Sequence, residues 1–217
     1  VTDMGDCGSS SGGSSDIFDE SFDGGVSTAG FTIVQNSGTC DWSYDNPGTR
    51  TITGANFDAD FAIFDSDHCG SGAGESSGDL VSPVFDASAS TNYILSFSEQ
   101  YRSYFNSTAS VDVWNGTTWT SVYSHSTASV GYPNPAVLTT LDITAATGNS
   151  PTAQIRFHYD GDWAYWWAVD SISLQTVSCL YPPDLAVTNV TFTGGTISWT
   201  DNGSTGYDWV VTDGSVP

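Results

Sequence analysis

Closely spaced carboxylates are the residues of this chain best suited to chemistry, and their spacing suggests cation binding. Asp65-Ser66-Asp67 places two carboxylates on alternate residues, and Gly70 and Gly72 follow. Ca²⁺ takes about six to eight oxygen ligands from carboxylates, backbone carbonyls and water, which a flexible acidic loop can supply. The spacing does not match an EF-hand loop. The pattern favours an irregular calcium site, and an ordinary solvated turn is the alternative.

Asp170 is the second candidate ligand, because it lies inside the apolar segment 166–174. Burying a carboxylate is costly unless it is paired or bound to a metal. The 25 acidic residues have only three cationic partners available, which are Arg50, Arg102 and Arg156. We therefore predict that Asp65, Asp67 and Asp170 share a calcium ion. The alternative is that Asp170 accepts hydrogen bonds from backbone amides.

Aromatic residues crowd one segment, and they predict a ligand-binding surface. Trp163 and Tyr165 fall in the loop-like stretch DGDWAY, and Trp166 follows at the start of an apolar run. Exposed Trp and Tyr rings offer flat apolar platforms for the C–H faces of sugars. Strand alternation sends Trp166 and Trp167 to opposite faces, so at least one of them belongs to the core. We predict Trp163, Tyr165 and Trp166 as ligand-binding residues, with a core position as the alternative for Trp166.

The pattern of nucleophiles and bases argues against catalysis. The three histidines, His68, His125 and His158, are scattered along the chain, and no GxSxG motif occurs. Cys69 follows His68 directly, but we expect this cysteine in a disulfide rather than as a nucleophile. The chain is therefore predicted not to be an enzyme.

The four cysteines predict disulfides. None forms a CxxC pair and no histidine stands at ligand spacing from them, so a zinc site is not favoured. An even number in a Ser/Gly-rich, Lys-poor chain favours two disulfides outside the cytoplasm, with free buried thiols as the alternative. We predict Cys40–Cys69, both in loops, and Cys7–Cys179, which would tie the N-terminal tail to the end of the last strand.

The net charge of −22 restricts the partners of the chain. Nucleic-acid binding requires clustered Lys and Arg, so nucleic acid is excluded as a partner. No apolar run is long enough to cross a membrane as a helix, and membrane insertion is not expected. Bound cations or saline surroundings must offset the self-repulsion of the carboxylates.

The remaining pattern predicts an all-β protein. Val, Ile, Phe, Tyr and Trp carry the apolar content, and no long segment has helical periodicity. Asn115-Gly116 predicts the turn of a hairpin. Asp58 and Asp60 are interpreted as the solvent face of a strand, with a second cation site as the alternative. The predicted strands are 57–64, 80–85, 93–97, 111–114, 119–123, 138–143, 153–159 and 166–174, with shorter β-like stretches between 18 and 34.

Composition divides the chain into three parts. Residues 1–15 are Gly/Ser-rich and are predicted to be a linker, and residues 16–180 hold the main set of strands. Tyr181-Pro182-Pro183 is a stiff connection, since proline restricts its own backbone and that of the preceding residue. Residues 181–217 are too short to bury a core alone and are predicted to begin a second β domain, with strands 185–190, 196–200 and 207–211.

Four stretches together carry a resemblance to a known family. They are ESFDGG (20–25), FAIFDSDHCGSG with DLVSPVFDAS (61–72 and 79–88), YILSF with the hairpin VDVWNGTTWTSVY, and AQIRFHYDGDWAYWWAVDSISL (153–174). Residues 16–178 resemble the MAM-like and cleaved-adhesin jelly-roll modules of large surface and secreted proteins of Bacteroidetes-type bacteria. Residues 181–211 resemble the start of a fibronectin type III domain. The expected fold is thus a jelly-roll β-sandwich followed by a partial fibronectin type III-like sandwich.

The resemblance implies a non-catalytic extracellular module, at the bacterial cell surface or secreted, with a structural Ca²⁺ near the opening and closing strands. It places Glu20 and Asp23, on the opening strand, beside the last strand, so that one of them completes the calcium site. The expected role is adhesion or structure within a longer polypeptide, with a glycan or a surface protein as ligand and flanking domains as neighbours. One alternative is a carbohydrate-binding module of a secreted polysaccharide-degrading enzyme or protease. Another is a subunit of an extracellular fibre.

Overall fold

The computed structural model of the protein describes residues 15–54, 56–89, 92–104, 106–177, 186–191 and 194–198. The chain divides into two compact units, one of residues 16–175 and one of residues 1–15 with 176–217. Residues 1–14 of the predicted linker 1–15, the proline pair after Tyr181, and Cys7 and Cys179 lie outside the described residues, whereas Ser15 begins β1. Their predicted roles, including the Cys7–Cys179 disulfide, stay predictions.

Two antiparallel sheets form a β-sandwich in the first unit, as the sequence predicts. The first sheet has the order β3-β4-β11-β6-β9 with β1 also paired to β11, and the second has the order β2-β5-β10-β7-β8. The described elements are β1 (Ser15–Glu20), β2 (Thr32–Ser37), β3 (Trp42–Ser43), β4 (Ala62–Asp65), α1 (Ser66–Cys69), β5 (Ser76–Val81), β6 (Asn92–Tyr101), β7 (Ser107–Trp114), β8 (Trp119–His125), β9 (Val137–Asp142), α2 (Thr144–Thr147), β10 (Gln154–Gly161), β11 (Trp166–Val177), β12 (Ala186–Thr191) and β13 (Gly194–Ser198).

Strand β10 shows why these sequences form a half-buried sheet. Ile155, Phe157 and Tyr159 are buried between the sheets, and the alternate residues Arg156 and His158 face outward. This period of two is the repeat of a strand with one solvated face. Aromatic rings fill much of the space between the sheets, namely Phe22, Phe31, Trp42, Phe64, Phe85, Tyr93, Phe97, Tyr101, Phe157, Tyr159 and Trp167.

Strand β11 departs from this pattern, because its first five residues are buried on both faces. Trp167 lies in the core between the sheets, while Trp166 and Ala168 lie on the other face. A second apolar cluster covers that face, with Phe57 and Phe61 contributed by the segment before β4. The prediction of a strand over 57–64 is therefore corrected. The strand begins only at Ala62, and the residues before it form a covering loop.

Other elements differ in detail from the predicted ones. The prediction that no long segment is helical is confirmed for the described residues, since α1 and α2 are each a single turn. Asp65 caps α1 by accepting a hydrogen bond from the His68 amide (3.0 Å). The predicted strand 80–85 lies earlier, as β5, because Pro83 has no amide to donate to a ladder.

The predicted hairpin is confirmed, with the first strand ending at Trp114 and the second beginning at Trp119 as predicted. Trp114 pairs with Trp119, and the Asn115 amide donates to the Thr118 carbonyl (3.2 Å). The Asn115 side chain also accepts from the amides of Thr117 and Thr118. The loop has four residues, 115–118, and the asparagine side chain satisfies two of its amides.

The second unit contains the antiparallel pair β12–β13. These strands correspond to the predicted segments 185–190 and 196–200, while the segment 207–211 lies outside the described residues. The assignment to a fibronectin type III domain stays a prediction.

The disulfide Cys40–Cys69 is confirmed, with 5.9 Å between the Cα atoms. It joins the segment before β3 to the last residue of α1, and closes a loop with a sequence separation of 29. Such a link stabilises the fold mainly by restricting the unfolded chain.

Glu99 of β6 is a fully buried carboxylate held by four donors. Its Oε1 accepts from the Tyr123 and Thr139 hydroxyls (2.7 Å each), and its Oε2 accepts from Trp167 Nε1 (2.9 Å) and contacts His125 Nε2 (3.0 Å). Burial alone would raise the pKa of Glu99, but the hydrogen bonds from His125, Thr139 and Tyr123 hold it below its ordinary value. A buried carboxylate satisfied in this way links four strands, β6, β8, β9 and β11.

We expect Glu99→Gln to lower the free energy of unfolding by about 3 kcal/mol, because the amide NH₂ would face donors that need an acceptor. Urea unfolding monitored by tryptophan fluorescence measures the change. Glu75→Gln, the same substitution at an exposed residue, is the matched control and should stay within about 0.5 kcal/mol of wild type. Equal stability of the two variants would contradict the assigned role of Glu99.

Candidate functional site

The predicted calcium ligands Asp65 and Asp67 lie together, but they bind an arginine. Arg50 Nε and Nη2 donate to the two oxygens of Asp65 (2.7 and 2.8 Å), and Nη2 also reaches Asp67 Oδ2 (2.8 Å). The hydrogen bond to Asp65 raises the pKa of Arg50, which keeps the guanidinium charged. Three hydrogen bonds thus neutralise much of the charge that the sequence assigned to a cation.

Asp170 lies away from this pair along β11. Asp65 pairs with Trp166, and Asp170 is four residues further on, which is about 13 Å in a strand. Asp170 is 1% exposed, and its oxygens accept from the amides of Ser171 (2.6 Å) and Asp58 (3.1 Å). Burial raises the pKa of Asp170 to about 7, the two amide hydrogen bonds oppose the rise, and the charges of Asp58 and Asp23 add to it.

The five predicted metal ligands therefore divide into three places. Glu20 is buried and accepts from the amides of Phe22 (2.8 Å) and Ala29 (2.9 Å) and from the Ser27 hydroxyl. Asp23 belongs with Asp170 by its charge. Within the described part of the chain, no three Asp, Glu, His or Cys side chains are arranged as a ready metal-binding group. The five predicted ligands therefore do not form one preformed site for an ion. The acidic residues around Asp170 are the part of the predicted set that is still a candidate for cation binding.

The predicted aromatic residues lie where two loops meet, the loop after β6 and the loop before β11. The Arg102 amide donates to the Trp166 carbonyl (2.9 Å), which extends the pairing of the two strands. Asn106 Nδ2 donates to the Asp162 carbonyl (2.6 Å) and ties the loops together. Tyr132, Tyr165 and Trp166 lie around Arg102, Tyr104 contacts Tyr165, and Trp163 belongs to the same loop as Tyr165, two residues before it. We call these five residues the aromatic rim.

Trp163 is the most exposed ring of the rim, at 53%. Its φ of 44° lies in the left-handed region, where a bulky residue is uncommon. The next residue, Ala164, is buried, and its amide donates to the Ser66 hydroxyl (3.1 Å). The backbone is thus anchored on one side of the indole, while the indole itself lies at the surface. Strained backbone of this kind is often found at binding sites.

Trp166 is not the exposed ligand-binding residue that the sequence predicted. It is only 5% exposed, and the guanidinium groups of Arg50 and Arg102 lie 4.5 and 5.1 Å from its ring centroid. Its ring is therefore not open as a platform, and it supports the two arginines instead. Tyr165 is half-buried and contacts Tyr104 edge to face, with 5.4 Å between the ring centroids.

Arg102 was not predicted as a site residue. Its guanidinium carbon lies 3.4 Å from the ring centroid of Tyr165 and 4.4 Å from that of Tyr132. In the described ranges, the arginine ion pairs belong to Arg50 and Arg156, and none belongs to Arg102. The scarcity of cations was the signal in the sequence that could have drawn attention to this residue.

The outer face of the second sheet carries a separate charged network, also not predicted. Arg156 donates to Asp112 (2.8 Å) and Asp79 (3.2 Å) and lies 4.6 Å from the Trp119 ring centroid. His158 lies between two carboxylates, contacting Asp79 through Nδ1 and Asp160 through Nε2 (2.8 Å). The bond to Asp79 is the main cause that raises the pKa of His158. These groups satisfy one another.

Comparison with known proteins supports the fold alone. No protein-family model and no curated protein matches the sequence. Two solved structures that resemble it are the K3 and K1 cleaved adhesin domains of Lys-gingipain from Porphyromonas gingivalis W83, each 14% identical, with TM-scores of 0.51 and 0.50. The matches cover 75% of this chain and 99% and 98% of those domains. The carbohydrate-binding module TmCBM61, solved with β-1,4-galactotriose, has a TM-score of 0.45 at 13% identity, over 71% of this chain and 93% of that one.

The predicted resemblance to the cleaved-adhesin jelly roll is thus confirmed as a structural likeness. Among the described residues, no helix has the length and apolar character needed to cross a bilayer.

The His158 network predicts a pH dependence of stability. Because the pKa of His158 is raised in the folded state, its contribution is fully present below the unfolded value of about 6.5 and is lost as pH rises through the folded pKa. The melting midpoint of the wild-type chain should therefore fall between about pH 6 and 9. In His158→Gln this fall should be smaller by roughly 2–4 °C, which corresponds to ~1 kcal/mol in a chain of this size. Calorimetric scans measure it. The exposed His68 gives the matched variant His68→Gln, which should keep the wild-type slope, and an unchanged slope in His158→Gln would contradict the prediction.

Proposed function

We propose that residues 16–175 form a non-catalytic adhesion module that binds a glycan through the aromatic rim. The observation that carries the proposal is the exposed indole of Trp163, presented by strained backbone beside a buried and hydrogen-bonded neighbour. Exposing a large apolar ring on an anchored loop has a cost in water, which a ligand that covers the ring offsets. The cleaved-adhesin fold is consistent with this role.

The chemistry of the rim suits a sugar. An indole face accepts the C–H side of a pyranose, and the tyrosine hydroxyls and the guanidinium offer hydrogen bonds at the edges. Tyr165 and Trp166 hold the rim from below, since both contact Arg102 and each other. A rigid platform loses little conformational entropy when a ligand binds, which favours recognition of a flexible polymer.

The setting we propose is outside the cytoplasm, within a larger bacterial surface or secreted protein. The Cys40–Cys69 disulfide supports it, because disulfides persist in oxidising compartments. In an adhesin the rim would attach a cell to a glycan, and beside a polysaccharide-degrading domain it would direct that domain to its substrate. Both roles use the same surface.

Calcium stabilisation is a separate proposal, supported by the surroundings of Asp170. Asp58 and Asp23 add negative charge near a buried carboxylate, and a cation at that point would relieve the repulsion. Asp23 and Asp58 are exposed, and Asp58 Oδ1 accepts a hydrogen bond from the Asp60 amide (2.8 Å) with which an ion would compete, so we propose that binding itself arranges the ligands. Asp65 and Asp67, which Arg50 holds, are left out of this site.

The glycan proposal predicts the effect of Trp163→Ala. On a glycan array and then by titration calorimetry, this variant should lose about tenfold to thirtyfold in affinity, as expected when a central aromatic contact is removed. Trp119→Ala is the matched control, since Trp119 packs beneath Arg156 on the other sheet. Full binding by Trp163→Ala, or no glycan bound by the wild-type chain, would contradict the proposal.

The calcium proposal predicts the effect of chelation. At a free Ca²⁺ concentration of about 100 Kd, an ion bound only to the native state adds about 2.7 kcal/mol, so a chelator should lower the melting midpoint by roughly 5–11 °C. In Asp170→Asn the midpoint should no longer respond to chelation. In Asp67→Asn the response should be kept, which separates this site from the pair at Arg50. A wild-type midpoint that ignores the chelator would end the proposal.

A further inference from the structure

We propose that the glycan bound at the aromatic rim is anionic, and that Arg102 binds its carboxylate or sulfate group. This inference rests on the proposed glycan-binding function and names the class of ligand. It is based on a difference between the arginines: Arg50 and Arg156 contact carboxylates, whereas Arg102 contacts aromatic rings.

The three arginines meet different partners. Arg50 bonds to two carboxylates, and Arg156 bonds to two others. Arg102 contacts aromatic rings, and within the described part of the chain no ion pair or side-chain hydrogen bond involves its guanidinium. The chain has 25 acidic residues for three arginines, so a guanidinium without a carboxylate is not explained by a shortage of partners.

The stacking leaves the donors of Arg102 available. The five N–H bonds of a guanidinium lie in its plane and point to its edges, whereas the rings of Tyr165 and Tyr132 lie close to the group at 3.4 and 4.4 Å. The side chain is half-buried, at the rim between two loops. A planar guanidinium fixed by stacking is suited to a bidentate pair with an oxyanion, the strongest kind of charge-assisted hydrogen bond.

A neutral sugar would satisfy this group less well. Covering Arg102 with an uncharged ligand removes water from a cation and gives it no counter-charge, which is costly. An oxyanion restores the balance at the moment the water leaves. The charge of the ligand therefore decides the sign of the contribution from Arg102.

The net charge of −22 makes Arg102 the deciding residue for such a ligand. At a distance the chain repels anions, and salt at physiological strength screens this repulsion beyond about 8 Å. Within that distance the local pair with Arg102 dominates. Removing the guanidinium would leave the repulsion with no local attraction, so the loss of affinity should be large for anionic ligands and small for neutral ones.

The experiment uses the full chain and matched pairs of probes. Oligosaccharides of galacturonate, mannuronate and glucuronate are each paired with their methyl esters, and sulfated galactan oligosaccharides are paired with desulfated ones. Binding is screened on an array and measured by titration calorimetry at 0.15 M salt, a concentration of about physiological ionic strength. The uronate and sulfate arms distinguish the two sources of the oxyanion.

We expect the wild-type chain to prefer the charged member of at least one pair. Arg102→Gln should lower that affinity by about tenfold to hundredfold and remove the preference, with less than about threefold change for the neutral member. Arg102→Lys, which keeps the charge without the planar fork, should recover only part of the loss. Arg156→Gln is the matched control and should bind as wild type, and melting midpoints verify that each variant is folded.

Three results would overturn the inference, and they differ in what else they affect. Equal or better binding of the neutral members would overturn the anionic ligand, and a charge preference that survives in Arg102→Gln would overturn the role of Arg102. Both results would leave the glycan-binding function standing. Absence of binding to every glycan, charged or neutral, would overturn both.

Discussion

Burial of both faces of β11 at residues 166–170 is the constraint on which the rest of this sandwich depends. One face of the strand packs into the core between the sheets, where Trp167 donates to the buried carboxylate of Glu99. The other face is covered by a second apolar cluster that includes Phe57 and Phe61. The strand is therefore held between a core and a covering loop, and both of its tryptophans are fixed. The position of Trp166 in turn fixes Arg102, and so the centre of the aromatic rim.

Electrostatics divide the molecule into regions of different purpose. Glu99 and Arg50 belong to networks in which hydrogen-bond donors and acceptors are matched. Such networks stabilise one packing of the surrounding strands over other packings. Asp170 has two amide donors and no cationic partner within the described residues, and burial raises its pKa to about 7 against the opposing effect of those two hydrogen bonds. Arg102 is the corresponding cation, since within the described residues it has no carboxylate partner. Asp170 lies within β11 and Arg102 lies in the loop after β6, so the candidate calcium site and the ligand surface are separate sites.

Local patterns in the sequence predicted the elements whose environment is itself local. The alternation of Ile155, Phe157 and Tyr159 predicted a half-buried strand, and Asn115-Gly116 predicted the hairpin, because both patterns depend on neighbours a few residues away. The Cys40–Cys69 pairing followed from cysteine count and loop position. The stretch 57–64 misled for the same reason. Its alternation is real, but the segment before Ala62 is used to cover β11 instead of joining the sheet, which no local pattern reveals.

The candidate sites were harder to predict than the strands, because their geometry depends on residues that are distant in the sequence. Asp65 and Asp170 do lie on paired strands, as an expected shared site requires, but the register that sets Asp65 opposite Trp166 separates the two residues by about 13 Å along the strand direction. Register depends on packing of both strands and not on either sequence alone. The partners of Arg102 come from two places further along the chain, residue 132 and residues 165 and 166, so their convergence is a product of the tertiary fold.

A stacked arginine and a paired arginine answer different physical needs, and this chain uses both. A carboxylate partner neutralises the charge and consumes the donors, so Arg50 and Arg156 stabilise the fold and have little left for a ligand. Aromatic rings orient the guanidinium without neutralising its charge, since they act on its faces and leave its edges free. In a chain this acidic, shielding one arginine from carboxylates requires that its surroundings be built from rings, as they are at Arg102. The aromatic residues of the rim thus serve two ends, since Trp163 offers a surface and Tyr132, Tyr165 and Trp166 keep a cation available.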